Sequence, residues 1–341
     1  MKRTTISDLA RTSGVSVATV DRVLNRRLPV REDTALRVLA AAESLGYHAT
    51  GLLKQRISET PSRRLGFLLQ KRHDEFYKTL GSELVAATKE ASSNRGRAQV
   101  EFMDEIVPSM IAQRIAETGA KVDALAVVAV DHPLVNEAIA AVTAKGKPVM
   151  TLLSDVTAPT RSAYISVDSR SAGRTAAWAI SRLARSAGKI GILLGSHRYL
   201  SQELAEISFR SYMREHAPAF QLLEPLVNLD DERIAYEAVV DMVASNPDLV
   251  GLYMAGGGAA GMIRALNEEK AQHKVVAVCN ELVPATRAAL IDGTIDLVLA
   301  TPIAALAGKA VELMLKACNG ENLGSAAHIQ LPANLYISEN I

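Results

Sequence analysis

Thr5-Ile6-Ser7-Asp8-Leu9-Ala10-Arg11-Thr12, then Ser13-Gly14-Val15, then Ser16-Val17-Ala18-Thr19-Val20-Asp21-Arg22-Val23-Leu24-Asn25 is the stretch that decides the amino-terminal architecture. Ile6, Leu9 and Ala10 recur at helical spacing on one face, and Val20, Val23 and Leu24 do the same further on, so two short helices can pack together. Gly14 stands where the turn between them needs a positive φ or a small residue, and Ala10 leaves room for a close crossing. Ser16 is a suitable N-cap for the second helix. That helix keeps Val17, Ala18, Asp21, Arg22 and Asn25 on its other face, a row suited to base edges and phosphates in a major groove. A third helix is predicted over 35–47, stopped by Gly46, with Leu36, Leu39 and Ala40 completing a small core.

Charge supports the same reading. The net charge of +1 hides an asymmetry: residues 1–64 hold 12 Lys and Arg against 6 Asp and Glu, whereas residues 65–341 hold 26 against 31. A basic head on a weakly acidic body is the electrostatic footprint of nucleic-acid binding confined to one end. The length of 341 residues exceeds one ordinary domain, and 48% hydrophobic with 4% aromatic residues suits a large α/β body. With no apolar run near membrane-spanning length and no signal pattern at the start, a cytoplasmic protein without membrane contact is expected. Cys279 and Cys318 are expected to be buried free thiols.

Beyond residue 64, apolar runs at 65–69, 98–103, 124–130, 148–153, 190–194, 222–227, 249–254, 275–279 and 297–300 alternate with amphipathic stretches such as 78–93, 133–145, 171–186, 233–245, 259–269 and 303–318. The alternation predicts βαβ units and parallel sheets covered on both faces. Nine strands exceed one compact sheet of this kind, so two α/β lobes with a ligand site between them, at the carboxyl ends of the strands, are expected. The predicted division is an all-α helix-turn-helix headpiece over 1–47, a linker or hinge over 48–63 and a two-lobed effector-binding and dimerisation domain over 64–341. A short helix at 51–57 is allowed within the linker.

The headpiece run through Arg22-Val23-Leu24-Asn25, with Val38-Leu39-Ala40-Ala41 and Leu45-Gly46-Tyr47, resembles the headpiece of the lactose-repressor (LacI) family of bacterial regulators. The body resembles that family's periplasmic-binding-protein-like effector domain in Asp74-Glu75-Phe76-Tyr77, Asp168 to Gly173, Gly257-Gly258-Ala259-Ala260-Gly261 and Thr301-Pro302. The resemblance implies a homodimeric repressor or activator, expected here to be a repressor, that reads a near-palindromic double-stranded operator under the control of a small-molecule effector such as a sugar or polyol. By position it implies that Val17, Ala18 and Arg22 face bases, and that Thr5, Ser16, Thr19 and Asn25 bind phosphates or cap helices. Family members read Tyr-x-Pro-Asn in the linker and carry a leucine wedge, whereas this chain has Ala49 and places Arg56 at the leucine position. Leu53, Arg56 and Ile57 are therefore alternative minor-groove residues.

For the effector, the resemblance points to Phe76, Tyr77, Asp168, Glu203, Asn280 and Thr301. Helix-start packing is the alternative for the two rings, and an N-cap is the alternative for Asp168. Glu203 and Ala205 replace an expected arginine, and Cys279-Asn280-Glu281 replaces an expected acid, which leaves open a ligand with another hydroxyl pattern or with a positive charge. A rival reading rests on Gly256-Gly257-Gly258-Ala259-Ala260-Gly261, which satisfies G-x-G-x-x-G with Glu281 at a nucleotide-like distance. It lies late in the βα series and has no catalytic set beside it. The seven histidines show no paired metal spacing, and neither a nucleophile elbow nor a Walker A loop occurs. No enzyme, cofactor or metal site is expected.

Overall fold

The computed structural model describes residues 4–25, 30, 32–50, 63–91, 96–324 and 327–341. At the amino terminus lie α1 (Ile6–Ser13), α2 (Val17–Asn25) and α3 (Glu32–Ser44). Thr5 opens α1 with a reciprocal cap: its hydroxyl accepts from Asp8 N at 3.3 Å, and its own N–H donates to Asp8 Oδ2 at 3.0 Å. Gly14 ends α1 in the left-handed region at φ 68°, and Ser16 Oγ accepts from Thr19 N at 3.1 Å to start α2. Leu9, Ala10, Val20, Val23, Val38, Ala41 and Ala42 form the small core. This corrects the predicted face of the third helix, because Leu36 and Ala40 are exposed and Leu39 is only partly buried. Val38, Ala41 and Ala42 follow the i, i+3, i+4 rule, and Leu36, two positions before Val38, points the other way.

Two parallel sheets make the body. The first joins β1 (Arg63–Gln70), β2 (Gly96–Met103), β3 (Ala124–Val127), β4 (Val149–Leu152), β5 (Ala163–Val167) and β12 (His328–Leu331) in the order β12-β5-β4-β3-β1-β2. It is flanked by α4 (Glu75–Glu90), α5 (Pro108–Lys121), α6 (Pro133–Thr143) and α12 (Ile303–Cys318). Leu65, Phe67 and Leu69 of β1 pack towards α4 and α12, while Leu68 packs with Ile111 and Ile115 of α5. A strand buried on both faces reads as a continuous apolar run, as this one does.

The second sheet holds β6 (Lys189–Leu194), β7 (Gln221–Leu222), β8 (Leu226–Val227), β9 (Leu249–Met254), β10 (Val276–Asn280), β11 (Leu297–Ala300) and β13 (Asn334–Tyr336). Its order is β13-β11-β10-β9-β6-β7, with β8 also paired to β6 and β13 antiparallel to β11. Helices α7 (Ser169–Leu183), α8 (Leu200–His216), α9 (Glu232–Ser245), α10 (Ala259–Glu268) and α11 (Pro284–Ile291) cover it. The single run predicted at 222–227 is thus two short pairings on one strand. Among the elements not anticipated, β5 has only five residues with Ser166 among them, too short and mixed to stand out by pattern. Both cysteines are free, Cys279 buried and Cys318 partly so. Among the described residues no helix is long and apolar enough to cross a membrane.

The chain passes between the lobes three times: from β5 into α7 at 168, from β11 into α12 at 301–302, and from β12 into β13 at 332–333. A cleft bounded by strand carboxyl ends lies beside these crossings, where open α/β sheets place ligands. Opposite sides are also joined directly. Lys71 Nζ, just past β1, donates to the carbonyls of Leu229 at 3.0 Å and Asp230 at 2.6 Å in the second lobe.

Candidate functional site

The headpiece presents the first candidate surface. Helix α2 buries Val20 and Val23 and leaves Val17, Ala18, Arg22 and Asn25 exposed along one side, with Thr19 partly covered. Thr5 and Ser16 sit at the N-termini of α1 and α2 as their caps. Asn25 Nδ2 donates to Asp21 Oδ1 at 2.6 Å, tying that carboxylate to its own helix. Leu53, Arg56, Ile57 and the predicted short helix at 51–57 lie outside the described residues.

The second candidate is the cleft between the lobes, about 390 Å³. At the end of β1, Asp74 caps α4 by accepting from Phe76 N at 2.9 Å and Tyr77 N at 3.4 Å. This cap fixes the two rings at the mouth of the helix, edge to face with centroids 5.2 Å apart. Phe76 lines the cleft and is also part of the first lobe's core, the packing role given as its alternative. Burial drives the Tyr77 hydroxyl well above its ordinary range, and the negative field of Asp230, Asp74 and Glu281 adds to that.

The second lobe supplies the acids. Asp230 sits at φ 52° in the turn after β8, and its Oδ1 accepts from Gly257 N at 2.6 Å and from Gln202 Nε2 at 3.5 Å. A Cβ at Gly195 would stand 2.1 Å from Asp230 Oδ1, and one at Gly256 would stand 2.5 Å from it. The glycine run therefore seats an aspartate. The place that a dinucleotide pyrophosphate would take beside these N–H groups is filled by a carboxylate of the same sign, which removes the nucleotide reading. Gly261 has a different job: a Cβ there would lie 1.9 Å from Glu232 O, so only glycine lets α9 and α10 cross this closely.

Glu281 follows β10 at φ 68°, partly buried, and its two oxygens take Thr301 N at 2.9 Å and Thr301 Oγ1 at 2.6 Å. Burial pushes its carboxyl up to about 7, against which the Thr301 hydrogen bonds work. Asp230 is raised for the same first reason. Asn280 Nδ2 donates to Ala255 O at 2.8 Å, while Asn280 Oδ1 and the hydroxyl of Tyr253, both buried in the cleft wall, have no hydrogen-bond partner among the described residues.

Of the six residues predicted for the effector, Phe76, Tyr77, Asn280 and Thr301 line the cleft. Asp168 and Glu203 do not. Asp168 is the N-cap of α7, accepting from Ser171 N at 3.1 Å. On α8 the cleft-facing positions are Ser201, Gln202 and Ala205, and Glu203 is turned off that face by the helical repeat. Sequence reading missed Lys71, Gln202, Asp230 and Tyr253 as lining residues. Asp230-Asp231 before a helix looks like a cap, and Asp231 is indeed the cap of α9, which leaves Asp230 free for the cleft.

Comparison with known proteins agrees with this geometry. The model for bacterial regulatory proteins of the lacI family matches residues 5–50, and the model for the periplasmic binding protein domain matches residues 65–322. The HTH-type transcriptional regulator RegA of Clostridium saccharobutylicum is 37% identical over 90 residues, 26% of either chain. GalR of Escherichia coli strain K12 is 48% identical over 59 residues, 16% of this chain and 17% of that one. The matched segments span about a quarter or less of these relatives' length. Among solved structures, a solute binding protein of an ABC transporter from Agrobacterium vitis, bound with alpha-D-tagatopyranose, superposes with a TM-score of 0.76 at 19% identity, covering 82% of this chain and 95% of that one. GanP, a glucose-galactose binding protein from Geobacillus stearothermophilus, gives a TM-score of 0.75 at 17% identity over 82% and 99%. At these identities the likeness is one of fold.

Proposed function

Since the chain belongs to the periplasmic binding protein domain family over most of its length and begins with a headpiece of the lacI family of bacterial regulatory proteins, we propose that it is a transcriptional regulator, a repressor whose grip on operator DNA is set by a small polar metabolite. The observation that carries the reading is the exposed row Val17, Ala18, Arg22 and Asn25 on a capped helix, in one chain with an interlobe cleft. Val17, Ala18 and Arg22 read bases, and Thr5, Ser16, Thr19 and Asn25 hold phosphates, with Leu53 or Arg56 entering the minor groove. Two copies bind a near-palindromic site, each placing α2 in a major groove. The relatives named as regulators and the sugar-bound neighbours support the regulatory part of this reading, which further takes the protein to be a cytoplasmic, non-enzymatic homodimer that uses no cofactor. In this reading the headpiece is 1–47, the hinge 48–63 and the receptor 64–341.

Phe76, Tyr77, Asn280 and Thr301 contact the effector. Its binding shifts the balance between lobe arrangements, and Thr301, at a crossing between lobes, carries that shift. The effector needs only a differential affinity for the two arrangements, worth typically ~1–3 kcal/mol of coupling. The test is a footprint of the full-length protein on genomic fragments, with and without sugars and polyols. A protected near-palindrome whose occupancy changes with one ligand is the expected result; uniform protection of all fragments overturns it.

A further inference from the structure

The cleft is built for a guest that donates hydrogen bonds and carries positive charge. Its ionisable lining counts Asp74, Glu75, Asp230, Glu232 and Glu281 against Lys71 and His73, and no arginine lines it among the described residues. Lys71 does not neutralise the floor by a direct ion pair: its Nζ is engaged by the carbonyls of Leu229 and Asp230. The acids form a connected wall. Asp230 is bonded to Gly257, Ala255 two residues earlier accepts from Asn280, and Glu281 follows Asn280 in the chain. All of this surrounds the Tyr77 ring, which feels Asp230, Asp74 and Glu281 together.

An independent feature points the same way. Asn280 has spent its amide N–H on Ala255, and its other polar neighbour is the hydroxyl of the completely buried Tyr253, so Asn280 turns no free N–H towards a guest. Around Asp230 and Glu281 the wall is rich in acceptors. An ammonium group supplies three donors and no acceptor, whereas a sugar hydroxyl supplies one donor and brings lone pairs towards carboxylates. Burying several acids beside the single ammonium of Lys71 is costly, and a cationic guest offsets that cost where a neutral one does not.

We propose that the ligand of the interlobe cleft is a polyhydroxylated compound bearing a protonated amine, an amino sugar or aminated polyol, with the ammonium held between Asp230 and Glu281. The proposal rests on the cleft being the effector site. Calorimetric titration of the full-length protein with matched pairs tests it: D-galactosamine against D-galactose, D-glucosamine against D-glucose, and D-glucamine against D-glucitol. At least one amine is expected to bind about tenfold or more tightly than its neutral partner, charge-assisted hydrogen bonds being roughly twice as strong as neutral ones. In Asp230→Asn, which retains an acceptor for Gly257 N, that preference is expected to vanish while any binding of the neutral partner persists. Neutral partners binding as tightly as the amines, or no member of any pair binding at millimolar concentration, overturns the assignment. Operator affinity measured in the same samples separates the two readings: an amine that binds the cleft and leaves DNA affinity unchanged upholds the charge assignment and removes the regulatory role.

Discussion

Tyr199 belongs to the second lobe by sequence and to the first lobe by packing: its ring is buried with Leu68, Val127 and Val130, and its hydroxyl donates to Gln70 Oε1 at 2.5 Å. The adjacent Arg198 accepts from Asp131 N at 2.8 Å through its carbonyl. This pairing closes the cleft on the side that Lys71 also bridges.

Tyr199→Phe keeps the ring and removes the donor, leaving Gln70 Oε1 buried without a hydrogen. An unsatisfied buried polar atom costs about 1–3 kcal/mol, borne by the closed arrangement. A lower thermal midpoint and a larger radius of gyration by solution scattering are expected. An unchanged radius and midpoint would show that the lobes stay shut by other means.

Glu281 gives the protein a pH-dependent stability of defined sign. The folded carboxyl, held up at about 7 by burial, keeps its proton after the unfolded one, near 4.5, has lost it. Between those values the folded state binds more protons, so stability falls as pH rises, by roughly 3 kcal/mol over the window. Asp230 adds in the same direction. Thermal unfolding from pH 5 to 8 is expected to show the decline and Glu281→Gln to flatten it; a parallel decline in the variant would assign it elsewhere.

Two glycines in helices separate packing from propensity. A Cβ at Gly173 of α7 would lie 2.0 Å from Ala205 O of α8, whereas one at Gly308 of α12 meets nothing within 4 Å. Gly173→Ala forces two helices apart and is expected to cost at least about 1–3 kcal/mol. Gly308→Ala only lowers chain entropy in a helix interior and is expected to stabilise by about 0.5–1 kcal/mol. Equal midpoints for the two variants would contradict the crossing geometry.

How much of this was readable in advance follows from the range of the interactions involved. Caps and periodicity act over three or four residues, so Thr5, Gly14 and Ser16 and most β and α runs could be placed from pattern alone. The two rings after β1 and the Asn280 and Thr301 positions also fell in the cleft. The acidic wall did not emerge, because Asp230 reaches Gly257, 27 positions further along the chain, only after folding, and nothing local distinguishes it from the neighbouring cap Asp231. Glu203 lies off the cleft for the opposite reason: a one-residue offset on α8 moves a side chain to another face, and matching by position does not resolve it.

Arg22 offers the sharpest test of the DNA-reading face. It is exposed on α2, one position past Asp21, whose carboxylate takes Asn25 Nδ2. Its guanidinium is free of the headpiece core formed by Val20 and Val23, so Arg22→Ala is expected to leave thermal stability within about 0.5 kcal/mol. A planar fork placed in a major groove makes two bonds to one guanine, and losing them costs about 1–3 kcal/mol at that base pair. Binding to the footprinted site is therefore expected to weaken, with relaxed preference at one position in each half-site and little change on random DNA. Equal weakening on both, with a shallower salt dependence, would place Arg22 on phosphates, since counterion release is indifferent to sequence. Either outcome is read from the same pair of titrations, one on the site and one on a scrambled duplex.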